Sequence, residues 1–367
     1  MIEFEEKDFL RLIFRLHGSA LPACWHWVLL SATVGALATL VDDRAPHLLK
    51  DKLAGTAVLG TLLSFLVVFR VNIAYSRFWE ARGHVGNAIR CCRDLAAQAA
   101  CHVKGCDAET VQRRSNIGRL TRLAFSAFAN ELDVYTWQQW VDENCGEKGE
   151  LLLEEASALA KYKRPALLVI QWLRLAVVDC CEAGLLREQM LEKMDENVSL
   201  LIGAYNGATK IKSTPMPFAF AQMTKAFLLL FMLTFPFAVS TSLGGATTFV
   251  VAIIGFAFFG LDTIASQMTQ PFGDDPNDLP LKRMVQQVAE DTRMAIACRD
   301  SDVGLQSAEA GNSPVLFRQA SKALGAAHGP PRKRSGKAAL LSGLDMSFRS
   351  GIVQTAVMQK ALPDVEI

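Results

Sequence analysis

"LLSFLVVFRVNIAYSRFWEARGHVGNAIRCCRDL", residues 62–95, decides the fold, because it begins as an uncharged apolar run and ends as a charged amphipathic stretch with no turn signal between. One continuous helix must therefore start in hydrocarbon and continue into water. Phe65 and Phe69 stand four apart on one ridge of it, and it emerges through Arg70, Asn72, Arg77 and Arg82.

The rest of the chain agrees with a mixed membrane and soluble protein. Of 367 residues, 51% are hydrophobic and 20% charged, which is too apolar for an ordinary soluble enzyme and too charged for a bundle wholly in lipid. Leu21 to Val41 is an uncharged run of 21 residues, interrupted only by His26, and is the first span. Leu53 to Phe69 is the second, with Gly55 and Gly60 as small surfaces for close helix approach. From Ala226 to Leu261 there are 36 residues without charge, broken by "STSLGGATT", which predicts a hairpin of spans three and four.

Residues 85–212 behave differently. Val85, Ile89, Cys92, Ala96 and Ala99 recur at helical spacing, as do Ile117, Leu120, Ala124, Phe128 and Leu132, with charge on the other faces. The apolar piece "ALLVIQWLRLAVV" at 166–178 has 13 residues and contains Arg174, so it is predicted as a buried core helix rather than a fifth span. Between 70 and 94, Arg70, Arg77, Arg82, Arg90 and Arg93 face only Glu80 and Asp94. The Lys/Arg bias thus places the middle block in the cytosol, and four spans put both termini there.

Several function classes lose support. The net charge of +1 gives no reason to expect nucleic acid, and the dense basic run "PPRKRSGK" lies in a Pro/Gly/Ser/Ala-rich tail that reads as disordered. There is no Gly-rich phosphate loop, no Ser/His/Asp grouping and no zinc pattern, so an enzyme is not expected. The nine cysteines read as reduced thiols; Cys101, His102 and Cys106 lack the second ligand pair that a zinc site needs. No secretory or organelle address is visible in "MIEFEEKDFLRLIFR", and the plasma membrane is favoured over an organelle membrane.

"FRVNIAYSRFWEAR" resembles the F-R-x-N-x-x-Y-x-R-W-W-E-A-R pattern of the bacterial, fungal and plant branch of the bestrophin anion channels. "STPMPFAFAQMTKAFLLLFMLTFPFAV" is similar to that family's T-P-x-P-F lead-in to the third span, and "PFGDDPNDLPL" to its segment after the fourth. The resemblance covers roughly residues 5–295. It implies an all-α membrane protein: a homopentamer in a lipid bilayer, with four transmembrane helices per chain, a cytosolic helical domain and a central pore lined by the second span. The expected organisation is an N-terminal cytosolic segment (1–20), spans one and two with the pore helix (21–84), the cytosolic helical domain (85–212), spans three and four (213–262), a post-membrane acidic segment and helix (263–298) and the tail (299–367).

On this resemblance Thr61, Phe65 and Phe69, one turn apart, make a hydrophobic neck that can gate by dewetting, Thr61 standing where an aliphatic residue is usual. Phe78 replaces the first of two tryptophans. Arg70, Asn72, Tyr75 and Arg77 are expected to face an anion-concentrating vestibule, the alternative for the arginines being interfacial anchoring. Leu186 and Arg187, counted back from Pro215, mark a cytosolic aperture, the alternative for Arg187 being an ordinary surface residue. Lys225 should face the bundle or a water-filled cavity.

Asp274, Asp275 and Asp278 match acidic positions that hold calcium in the animal branch, but Pro276 and Asn277 interrupt the run. A turn with Asp278 capping a helix from about 279 is the favoured alternative, so calcium is a possible cofactor only. The expected function is a channel for chloride or bicarbonate. The alternatives are cation conduction through the same neck and a non-conducting scaffold.

Overall fold

The computed structural model describes residues 14–44, 56–132, 136–145, 150–273 and 275–300. Among these no β-strand occurs; an isolated bridge pairs Cys145 with Leu151. The helices are α1 (Leu21–Arg44), α2 (Thr56–His102), α3 (Ala108–Glu131), α4 (Trp137–Asn144), α5 (Leu153–Leu159), α6 (Pro165–Glu182), α7 (Glu188–Ser213), α8 (Phe218–Leu243), α9 (Thr247–Thr269) and α10 (Leu281–Asp300).

Among the described residues three segments are long and apolar enough to cross a membrane: α1, α2 and the stretch Phe218–Thr269. The last is α8 and α9, separated by the short 3-10 turn Gly244–Ala246. Gly244 has φ +51°, a left-handed value that glycine adopts without the Cβ clash other residues suffer. The turn folds α9 back antiparallel to α8, bringing Phe231 against Phe258 with ring centroids 5.7 Å apart. The break is shorter than "STSLGGATT" suggests, because Ser240 and Thr247 bond helix carbonyls and only the glycines end the helix.

Small side chains set the spacing of this apolar layer. A Cβ at Gly255 of α9 would lie 2.8 Å from the Ser31 hydroxyl of α1, and one at Gly60 of α2 would lie 2.9 Å from the Phe231 ring. Trp27 of α1 stacks on Phe259 of α9 at 5.5 Å. Hydrocarbon is as apolar as leucine, so close backbone approach and dispersion hold these helices rather than water exclusion.

Below this layer α2 continues unbroken for 47 residues in all. Its lower half packs against α3, α7 and α10, and α6 closes the block on α3 and α7, with Val85, Leu95, Phe125, Phe128, Leu173 and Val198 among the buried side chains. Phe78 packs partly buried against this core. The 166–178 segment is part of α6, whose Val169, Ile170, Leu173 and Val177 face inward.

Polar joints tie the block together. Glu131 at the end of α3 accepts from the Ala166 amide (2.8 Å) and the Tyr205 hydroxyl (2.5 Å), linking α3, α6 and α7. Burial and then the Glu131 carboxylate push the Tyr205 phenol up, which keeps it a donor. Trp140 of α4 is fully buried and donates its indole N–H to the Ser126 hydroxyl at 2.9 Å. Glu150 joins α3 to α10 by pairing with Arg122 (2.7 Å) and Arg293 (2.8 Å).

Candidate functional site

The upper half of α2 buries one face and leaves the other open. Leu63, Val67, Arg70 and Ala74 are buried against α8 and α9. On the opposite side Phe65 is 63% and Phe69 50% exposed, with their ring centroids 5.1 Å apart. These two side chains pack on each other and leave a phenyl ridge uncovered. Thr61, one turn above, donates its hydroxyl to the Ala57 carbonyl at 3.0 Å, so its hydrogen is spent on its own helix. Asn72 and Tyr75 continue the exposed side below the ridge.

Arg70 does not join them. It is 4% exposed and ion-paired with Asp262 of α9, and it donates to the Ser266 hydroxyl at 2.9 Å. Lys225 of α8 reaches the other Asp262 oxygen at 3.2 Å, with its chain still partly in the open. One buried carboxylate thus gathers two cations from two other helices. The expectation that Arg70 faces a vestibule is corrected: the arginine points roughly 140° from the Phe65 side of the helix, and it is buried against Asp262. Asp262 is likewise unavailable for an acidic ring. Removing Asp262 would leave Arg70 buried without a compensating charge.

Arg77 is also turned inward. It donates to the Thr269 carbonyl at 2.8 Å and to the Ile211 carbonyl, at the C-terminal ends of α9 and α7. Each helix end carries a partial charge of about −0.5, so the pair offsets one guanidinium. Arg77 thus caps two helices while its half-buried side chain still lines a cavity beside α2. On α2 the exposed charge near this level is Glu80, 3.6 Å from His84. The cavity beside α2, of about 590 Å³, is lined by Phe69, Asn72, Ile73, Ser76, Arg77 and Glu80 of that helix and by the Thr214–Pro217 linker.

The predicted aperture pair divides. Leu186 is buried in the core of the lower block and cannot line a passage, whereas Arg187 is exposed at the residue before α7. Their turn is held to the foot of α2 by the Lys104 amide, which donates to the Leu185 carbonyl at 3.0 Å.

Asp278 is buried and accepts from the Asp275 amide at 2.9 Å, closing a turn within its own loop. The helix starts at Leu281, so Asp278 is not its N-cap, which corrects that expectation. Asp274 lies outside the described residues. Among the described residues no group of three His, Cys, Asp or Glu side chains is placed to hold a metal. Asn277, which in the sequence only interrupts the acidic run, donates to the Gly18 carbonyl and to Gln267, both at 3.1 Å, tying this loop to the start of α1 and the end of α9. Ser266 was missed as well; its position four residues after Asp262 puts both on one helix face, which is the signal that could have found it.

A family model described as bacterial/fungal bestrophin protein matches residues 1–294. The chain belongs to the bestrophin family. Its relatives include the voltage-dependent anion channel-forming protein alr2987 of Nostoc sp., 29% identical over 82% of this chain and 96% of that protein. Another is the voltage-dependent anion channel-forming protein YneE of Escherichia coli, 27% identical over 77% of this chain and 89% of that one. Among solved structures, a bacterial bestrophin homolog from Klebsiella pneumoniae superposes with a TM-score of 0.66 at 22% identity, covering 74% of this chain and 98% of its own. At that identity the likeness establishes the bestrophin fold alone.

Proposed function

We propose that the chain is an anion channel: a homopentamer in the plasma membrane with four spans per protomer, both termini cytosolic, passing chloride or bicarbonate through a neck of Thr61, Phe65 and Phe69. The observation that carries this reading is the uncovered phenyl ridge on α2, directly opposite a face locked to the bundle by Leu63, Val67 and Arg70. Large aromatic side chains held clear of their own protomer need another environment, and a ring of them presents no groups to replace an ion's hydration shell. The names of the relatives, as anion channel-forming proteins, support the sign of the charge carried. Arg187, exposed at the far end of the block, is the candidate aperture residue.

Cation conduction is the second reading, and one observation favours it: Arg70 and Arg77 are engaged within the protomer, by Asp262 and by two helix-end carbonyls, while Glu80 stays exposed. Purified protein in planar bilayers under a chloride gradient decides between them. A reversal potential near the chloride equilibrium value supports the anion channel, one near the cation value supports the alternative, and absence of current refutes both. The Asp275 and Asp278 turn is proposed to shape the loop without calcium, so a chelator should leave the current intact.

A further inference from the structure

The upper half of α2 leaves open an arc wider than a pore lining needs. At about 100° per residue the exposed side chains form three stripes. Phe65, Asn72 and Ser76 make the middle one. Tyr75 and Trp79 form a flank about 60° to one side, and Phe69, Ile73 and Glu80 form a flank about 60° to the other. In a closed ring each helix meets its two neighbours along directions set by the ring's corner angle, about 108° for five members. The flanks, about 120° apart with Phe65 on their bisector, match that corner.

The flanks also match each other in shape and chemistry. One protrudes: Tyr75 and Trp79 stack with centroids 6.4 Å apart and planes 12° from parallel, and they are 56% and 64% exposed. Neither the phenol nor the indole N–H donates a hydrogen bond among the described residues. The other is concave, the cavity walled by Phe69, Ile73, Pro215 and Pro217 and bordered by Asn72, Ser76 and Arg77, with Glu80 and Thr214 supplying acceptors. Both flanks occupy residues 69–80 of the same helix, so cyclic symmetry brings them to one height.

We propose that the Tyr75–Trp79 pair of each protomer seats in the Phe69–Ile73–Pro217 cavity of a second copy of this chain, closing the ring head to tail. The inference rests on the ring assembly proposed above and names the contact that makes it. Aromatic bodies cover the apolar walls while the indole and phenol donors reach the acceptors, the arrangement buried Trp and Tyr favour. Phe69 then serves two surfaces, so the neighbour's Trp79 sets the position of a neck side chain.

The test is photo-crosslinking of the full-length chain in detergent, with p-benzoylphenylalanine in place of Trp79. The expected result is a ladder of intermolecular products whose crosslinked peptide contains Thr214–Pro217 or Ile73. Crosslinks confined to one chain, to lipid or to another surface overturn the docking. As a companion, Trp79→Ala should shift the light-scattering mass from the assembled ring toward monomer with unchanged helical circular dichroism, and Trp79→Phe should retain the ring. If the wild-type chain is itself monomeric, the assembly reading fails. If the wild type is a ring and Trp79→Ala leaves it fully assembled, only the docking contact fails.

Discussion

The two halves of α2 are one helix under two regimes. From Ala81 to Ala100 nearly every apolar side chain is buried within the protomer, and the helix is a core element of the lower block. From Thr56 to Trp79 only Leu63, Val67, Arg70 and Ala74 are fully buried, Leu59, Val71 and Phe78 are partly covered, and the side bearing Phe65, Phe69, Tyr75 and Trp79 is open. The lower half therefore carries the stability of the chain, and the upper half carries what the chain presents to others. Substitutions that respect this division should change one property and spare the other.

The largest expected effect lies below. Phe128 is buried between Phe125 and Tyr205, so Phe128→Ala should cost about 3–5 kcal/mol, read as a fall in the thermal unfolding midpoint in detergent. Next is the anchor that joins α2 to α9. Asp262→Ala strands Arg70 beside the Ser266 hydroxyl and should cost about 3 kcal/mol, with Asp262→Asn losing less because it keeps an acceptor. If Asp262→Ala unfolds at the wild-type temperature, the pair is not what fixes the helix.

The upper half makes the opposite demand. Replacing Phe65 and Phe69 together by Ala removes exposed rings, so stability should move by no more than about 0.5 kcal/mol while single-channel conductance rises. Unchanged conductance in an assembled double mutant would break the comparison at its centre.

The smallest effect is a matter of pH. Burial alone raises Glu150, but the hydrogen bonds and charges of Arg122 and Arg293 outweigh it and hold the carboxyl below its usual value. Its contribution is thus present above the unfolded value of about 4.3 and is lost as pH falls through the lower folded value. Glu150→Gln should be less stable than wild type at neutral pH, and the gap should close in acid, as followed by unfolding at a series of pH values.

Much of this architecture can be read from the sequence because it is local. The long helix, the hairpin around Gly244 and Gly245 and the amphipathic block follow from periodicity and uncharged length, which depend on neighbours a few positions away. The partners of Arg70 are not local: Asp262 and Ser266 lie 192 and 196 positions on, so nothing near Arg70 distinguishes a vestibule charge from a buried one. Leu186 was misassigned for the same reason, since it belongs to a core built from seven helices, whereas the turn that Asp278 closes on Asp275 is local and was legible as a turn. The ridge of Phe65 and Phe69 was legible as a ridge, and its solvent exposure became visible only with the bundle in place.

The unbroken length of α2 has a mechanical consequence. It spans about 70 Å at 1.5 Å per residue, with its ion-paired attachment at Arg70. For a swing pivoting there, the arm down to His102 is about 48 Å and the arm up to Phe65 about 7.5 Å, a sixfold reduction. A 2 Å displacement at the foot therefore moves Phe65 by about 0.3 Å, less than a phenyl ring's own thermal excursion. Levering the foot sideways is a poor way to open such a neck. Torsion about the helix axis is not attenuated by the short arm, so twisting, which sweeps the rings sideways out of register, is the motion this rod transmits.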